Sequence, residues 1–445
     1  MINRFLFKHI DNSALIVFRI IFGALIFLEA VGAIFTGWVK RTLVDPEFTF
    51  SFIGFEWLQP LPGYWMYVFY AVMGVFGLMV MVGYKYRMSI FAYTIMWSAT
   101  YFMQKSSYNN HYYLLIILCA IMCFQPAHNY LSVDAKRNPS LLSNSMPNWS
   151  RWILILQMWI VYTYASIAKM YPDWLDASVA EMLMKSKQNY FLIGEFLQEH
   201  WLHYAVAYGG ILFDGLIIPL LLFKPTRKFA FFTSILFHLF NSIVFQVGIF
   251  PYMSLGLCVF FFEPKTIRNI FLKKKPLYEA NDVIIPNYKK PFVAILALHF
   301  MFQFALPLRH WFLKDNVLWT EEGHRLSWRM MLRSRSGITT YKVIDSKTKE
   351  VTRINLDDYL TPKQKRLTMS RPDFMWQFAQ HLKTKYKAEG VDIEIYLTSR
   401  IKVNSRPFQK FIDPEVDLGS VQWNAFKHNE WILPSKLDQN KDVNH

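Results

Sequence analysis

Charge is scarce in this chain. Asp, Glu, Lys and Arg make up only 18% of its 445 residues, against roughly 25% in soluble globular domains. Cysteine is scarcer, with only Cys119, Cys123 and Cys258. All three fall inside apolar runs, with neither metal-ligand spacing nor a polar neighbourhood, so no disulfide framework is expected. There is no HExxH, no P-loop and no GxGxxG opening a helix, so nothing proposes a metal or a nucleotide. Internal repeats and long low-complexity stretches are also missing. The first residues, MINRFLFKHIDNS, lack a small-residue cleavage site, and the first apolar helix is expected to serve as an uncleaved membrane anchor.

What is abundant is apolar and aromatic. Hydrophobic residues make up 53% of the chain and aromatics 18%, including 40 Phe. They are concentrated between about residues 13 and 308. A spanning helix needs about 20 apolar residues. The candidate spans are 13–35, 64–83, 87–104, 111–126, 151–169, 203–223, 228–247, 249–264 and 292–308. The expected fold is an α-helical polytopic membrane protein, a bundle of about nine transmembrane helices followed by a small extracytoplasmic α+β region. Its expected parts are a membrane-embedded catalytic domain over 1–308, the α+β region over 309–434 and a polar tail over 435–445. The net charge of +16 fits cytoplasmic loops and anionic membrane lipid. No segment alternates basic and aromatic residues, so nucleic acid is not an expected partner.

Loop charges give an orientation. Arg4, Lys8, Lys85, Arg87, Lys136, Arg137, Arg151, Lys224, Arg227, Lys228, Arg268 and Lys273–Lys275 fall on one side. The other side has few cations and many acids. The basic side belongs in the cytoplasm, which places the N-terminus inside and everything after 308 outside. In that outer part, GITTYKVID and EVTRINL alternate around a polar SKTK and read as a hairpin. PDFMWQFAQHLKTKYK reads as an amphipathic helix, and VDIEIYLTSRI extends the sheet.

The stretch RWILILQMWIVYTYASIAKMYPDWLD, residues 151–176, organises the functional reading. It ends its apolar run in Lys169. A lysine near the end of a membrane helix ordinarily snorkels to the interface. A desolvated amine is the sharper alternative, because burial lowers its pKa and makes it a usable base. Asn110 and His111 open the fourth span, and His238 and Asn241 lie three apart on the seventh. Polar groups in membrane segments are costly and mark functional sites or helix–helix hydrogen bonds. All of these fall at the outer level with Lys169. Arg19 and Asp214 are the other buried ionisable residues, expected to pair with each other or a neighbour in a structural role. His128 reads as a neutral surface residue. Apolar walls with a few polar groups suit a lipid-soluble ligand.

Seven ordered segments carry a resemblance: FRIIFGALIFLE, LQPLPGYWMYVFYAVMG, KSSYNNHYYL, VYTYASIAKMYPDWLDA, FHLFNSIVFQVGIFPYMSL, LSWRMMLRSRSG and FIDPEVDLGSVQWNAFKHNEWILP. Together they make the chain similar to the vitamin K-dependent γ-glutamyl carboxylase family, in its bacterial-type form with an HTTM-like membrane domain. The resemblance implies a carboxy-lyase-class enzyme. Such an enzyme couples oxidation of reduced vitamin K (a hydroquinone, with menaquinol an option) by O2 to the epoxide with γ-proton abstraction from protein-bound Glu and addition of CO2. It implies that Lys169 deprotonates the hydroquinone, and that Asn110, His111, His238 and Asn241 line the quinol. It implies no metal. It also points to a glutamate-containing protein or peptide as substrate, handled by Trp328, Arg333 and Arg335, whose guanidinium forks suit a carboxylate. The family carries aromatic residues near His324–Leu326 and a histidine at Arg333. The expected location is a bacterial inner membrane. Two other readings stand beside this one: a membrane quinol oxidoreductase that carboxylates nothing, and a non-enzymatic membrane lipid-binding protein.

Overall fold

The computed structural model describes residues 2–280 and 282–437. The expected polar tail lies, from residue 438 on, outside the described residues. Each of the nine apolar runs folds as helix. These are α1 (Ser13–Phe35), α2 (Trp65–Val82), α3 (Tyr86–Met103), α4 (Asn110–Phe124), α5 (Trp149–Ala168), α6 (His200–Leu222), α7 (Arg227–Phe240), α8 (Phe250–Leu257) and α9 (Lys289–Leu308). Among the described residues, five segments are long and apolar enough to cross a membrane: Ser13–Phe35, Trp65–Val82, His200–Leu222, Arg227–Phe245 and Lys289–Phe312. This is a multi-pass membrane protein, but the count of nine spans is not established. At 1.5 Å per residue, α4 (15 residues) and α8 (8 residues) fall short of a bilayer core of about 30 Å.

Small residues set the tightest helix contact. A Cβ on Gly23 of α1 would lie 2.4 Å from the backbone of Met81, and one on Gly77 of α2 would lie 2.8 Å from the backbone nitrogen of Phe27. The two backbones therefore meet directly, as small residues permit in membrane bundles. The seventh run does not continue as one α-helix. After Phe240 it widens into a π-turn, Asn241–Phe245, and stops at Gln246 in the left-handed region (φ 53°).

Two buried polar residues differ from expectation. Arg19 does not pair with Asp214. Its guanidinium donates to the carbonyls of Ala127 (2.9 Å), Tyr130 (3.1 Å) and Leu131 (2.6 Å). Three carbonyl dipoles from one loop solvate the cation without an acid. His128 is buried in place of lying on the surface, with its ring stacked on Tyr86 at 5.2 Å.

The C-terminal part contains an antiparallel sheet in the order β4–β3–β5–β6, where β3 is Arg335–Asp345, β4 Val351–Ile354, β5 Ile393–Val403 and β6 Gln409–Lys410. The short strands β1 (His9–Asp11) and β2 (Ser145–Pro147) pair separately. The hairpin aligns Tyr341 with Ile354, and β5 pairs along β3 from Arg335↔Val403 to Asp345↔Ile393. Helix α10 (Pro372–Ala388) covers one face with Phe374, Met375, Phe378 and Leu382. That core is continuous with Phe50, Trp174 and Ala207 of the helical part.

A buried charge cluster fastens the two parts. Lys105, between α3 and α4, puts Nζ 2.7 Å from Asp373 of α10, and Arg325 reaches the same carboxylate at 2.7 Å. Burial alone would push the Asp373 carboxyl up. Arg325 and Lys105 outweigh it and hold the group at about 2. The unfolded carboxyl titrates higher, so this stabilisation is complete above about pH 4 and is lost as pH falls towards 2. Asp373→Asn strands two buried cations and should cost about 3–5 kcal/mol. Denaturant unfolding in detergent at pH 6 measures this, and equal stability of the variant and the parent would contradict the account.

Candidate functional site

Lys169 ends α5 as its C-cap residue. A cation is favoured there by the helix dipole. The side chain does not snorkel outward. Nζ turns inward to Asp214 Oδ2 at 2.5 Å, donates also to the carbonyl of Ala165 at 3.2 Å, and lies over the Trp174 ring at 5.6 Å. Both partners of the ion pair are buried. Asp214 sits mid-way along α6, where an acid facing lipid would be strongly disfavoured. Of the two pairings expected for Asp214, with Arg19 or with a neighbour, the structure shows the second, and that neighbour, Lys169, brings it into the site. The signal available in the sequence was the cost of a lone acid in an apolar helix. Nothing in the spacing of α5 and α6 identified its partner.

The pair forms one end of a cavity of about 380 Å³. Phe213 and Gly210 come from α6, Phe237 and Phe240 from α7, Asn241 and Phe245 from the π-turn, and Phe250 from α8. The walls are almost wholly apolar, with His111, Asn241, Lys169 and Asp214 as the main polar intrusions. Gly210 keeps the α6 wall low beside the lysine stem; a Cβ there would touch Lys169 Cε at 3.8 Å. The π-turn presents Asn241 and Phe245, four apart and on one face, to the cavity together.

The expected site residues divide into three groups. Lys169, His111 and Asn241 line the cavity. The His111 ring stacks on Phe250 at 4.5 Å, and Asn241 Nδ2 donates to the Phe237 carbonyl at 2.8 Å. His238 stands behind the wall. Its Nε2 is 2.9 Å from Tyr162 Oη, its ring meets Phe213 and Phe250 edge-on, and its Nδ1 has no hydrogen-bond partner among the described residues. Asn110 faces the C-terminal part, accepting from Tyr108 Oη at 2.8 Å and donating to the Arg329 carbonyl at 3.1 Å.

The segment 319–337 reaches the cavity through Met330 and Met331, which the sequence did not single out. Trp328 is buried against Tyr113 with ring centroids 4.9 Å apart. Arg333 forms a fork on Glu321, with Nε 2.5 Å from Oε1 and Nη2 on Oε2. Burial would raise the Glu321 carboxyl, but Arg333 first and then other cations hold it well below the usual range. Arg335 donates to the carbonyls of Trp319 (2.7 Å) and Ser370 (2.8 Å), and burial lowers its guanidinium to about 9. Both arginines therefore already hold partners within the protein.

A second, more polar cavity of about 560 Å³ lies on the other side of residues 167–174. Ser327, Arg329, His310, Tyr171 and Arg406 line it. Asp173 anchors that side, accepting from Asn404 Nδ2 at 2.7 Å and Arg406 Nη2 at 2.8 Å. One helix end thus separates an apolar chamber from a polar one. Among the described residues, no group of three or more His, Cys, Asp and Glu is arranged to hold a metal.

The chain matches two known protein families, one over most of the helical part and one over the C-terminal part. Residues 7–265 match the HTTM domain, and residues 288–438 match the lumenal domain of vitamin K-dependent gamma-carboxylase. The chain belongs to the vitamin K-dependent gamma-carboxylase family. The second match takes in α9 as well as the sheet, so this family unit begins before the last long apolar helix ends. No solved structure matches the chain. For a carboxylase of this family, the acid–amine pair at the chamber wall is the feature the sequence left unassembled.

Removing one partner of that pair isolates the other in an apolar site. Asp214→Ala should cost about 3–5 kcal/mol. The double variant Asp214→Ala/Lys169→Met should recover most of it, since no charge is then stranded. Denaturant unfolding in detergent compares the two, and a double variant as weak as the single would show that the pair does not carry this energy.

Proposed function

We propose that this carboxylase is a vitamin K-dependent γ-glutamyl carboxylase and that Lys169, backed by Asp214, is its base. The observation that carries the proposal is a lysine amine turned into an apolar chamber and held at 2.5 Å by a buried acid. A vitamin K-type hydroquinone, when bound, supplies with O2 the oxidation to the epoxide that drives γ-proton removal from a glutamyl residue, and CO2 adds to the resulting carbanion. The chamber fits such a group: aromatic walls take the ring system, and a few polar groups at one end meet its hydroxyls. Lys169 Nζ accepts the hydroxyl proton. To do so it must be neutral. Transfer of its own proton across the short contact to Asp214 provides the neutral amine without changing the net charge of the site. His111 and Asn241 orient the ring, and His238 fixes the wall through Tyr162. The dry chamber keeps water from quenching a strong base.

The glutamyl side chain approaches from the polar cavity, where Arg329 and His310 stand. Trp328, Arg333 and Arg335 act in glutamate binding through the loop they hold, because their own groups face Tyr113, Glu321 and backbone carbonyls. Asn110 ties that loop to α4. The loop charges favour an N-terminus in the cytoplasm and a C-terminal part outside it, in an inner membrane. Menaquinol remains an alternative quinol.

Purified protein incubated with hydroquinone, labelled bicarbonate and a Glu-containing peptide should yield both epoxide and fixed label. Epoxide without label would support a quinol oxidoreductase, and neither product a non-enzymatic role. Lys169→Ala should lower both products by about a hundredfold to ten-thousandfold. Lys169→Arg should not rescue them, since a guanidinium does not give up its proton. If Lys169→Ala kept epoxidation and lost only carbon fixation, the quinol base would lie elsewhere.

Orientation has its own test. A reporter active only outside the cytoplasm should work when fused after Pro434 and stay silent at Asn138. The reverse pattern would invert the site.

A further inference from the structure

A third cavity, about 210 Å³, lies away from both chambers, between α1, α2, α3 and α4. Its lining includes Glu29, Trp38, Tyr70, Trp97 and Tyr112. Glu29 is on α1 six residues before Phe35, about 9 Å from the helix end at 1.5 Å per residue. Its neighbour Leu28, also lining the cavity, is exposed, as is Phe35. An acid on a lipid-facing stretch of a spanning helix is costly and needs a partner. Among the described residues, no Lys or Arg lines the cavity. Tyr112 Oη donates to Glu29 Oε1 at 2.7 Å, and no hydrogen bond to Oε2 is made among the described residues.

The aromatic rings form the rest of a receptor. Trp38 and Tyr70 lie 6.0 Å apart, and Trp97 meets Tyr112 edge-on at 5.0 Å. Tyr70 is almost fully buried, and its Oη has no hydrogen-bond partner among the described residues. A carboxylate beside several π-faces is the arrangement that attracts an ammonium group. The free carboxylate oxygen and the Tyr70 oxygen can both accept, which favours an ammonium that still carries N–H donors over a quaternary one.

We propose that this cavity binds a primary ammonium group, and that its source is the ethanolamine headgroup of a membrane phospholipid. Glu29 lies less than two turns inside the end of α1, beside the exposed Leu28, so the cavity opens to lipid just below one face of the membrane, within reach of a headgroup drawn inward. The bound ammonium neutralises the acid and fills the space between α1 and α2–α4. This site is independent of the carboxylation reading.

Binding can be read on the full-length protein in detergent by native mass spectrometry, with thermal unfolding alongside. The probes are phosphatidylethanolamine, phosphatidylglycerol with the same acyl chains, and free ethanolamine. Phosphatidylethanolamine should bind at least tenfold more tightly than phosphatidylglycerol. Glu29→Gln should reduce that preference to less than threefold. Tyr70→Phe, which keeps the ring and so the packing, should weaken phosphatidylethanolamine binding several-fold and serves if Glu29→Gln does not fold. Free ethanolamine binding as tightly as the lipid, and lost in the same variants, would uphold the ammonium site but overturn its assignment to a lipid. Equal binding of the two phospholipids, or an unchanged preference in both variants, would overturn the site itself.

Discussion

An ionised amine inside an apolar wall must be neutralised where it stands. That constraint governs the arrangement of α5, α6 and the chamber between them. Lys169 is placed by the end of one helix and Asp214 by the middle of the next, and their 2.5 Å contact joins the two elements at the depth where the chamber opens. With the pair made, the surrounding Phe213, Phe237 and Phe250 can close around it without leaving a bare charge. The wall becomes both a packing surface and a polar end.

The same logic recurs at other levels of the molecule. Asp373 draws Lys105 and Arg325 together where the sheet meets the helices. Lys275 and Asp11 pair at 2.7 Å near the short β1–β2 ribbon. Each buried pair joins segments far apart in sequence. Such pairs are weak sources of net stability, because desolvation offsets attraction. Their geometry is selective, since any register that separates the partners leaves a charge unpaid. They are suited to specifying how the parts meet.

Much of the architecture was legible in the sequence. Long apolar runs gave the helices, because backbone groups in lipid must bond within the segment. Alternation gave the β3–β4 hairpin and β5, and a Pro near its start marked α10. The number of crossings was less legible, because α4 and α8 are helical yet too short to span unaided. Lys169 was recognisable from its place at the end of an apolar run. The role of Asp214 was not, since its partner is set by how α5 and α6 pack. Arg19 defeated the expectation of an acid partner because a loop's carbonyls can solvate a guanidinium equally well. Met330 and Met331 carry no chemical signature, and only the fold brings them to the chamber.

The chamber has a further consequence through Leu236. This side chain of α7 lines the chamber, yet 71% of its surface is exposed on the apolar flank of the molecule. The chamber is therefore bounded on that flank by a residue that also faces outward from a segment apolar enough to cross a membrane. A ligand entering there would partition sideways from the bilayer and need not cross water. Occupancy would then follow the mole fraction of that ligand in the membrane, and any long apolar tail could stay among the lipid chains while the head is held inside. Selectivity would rest on the head alone.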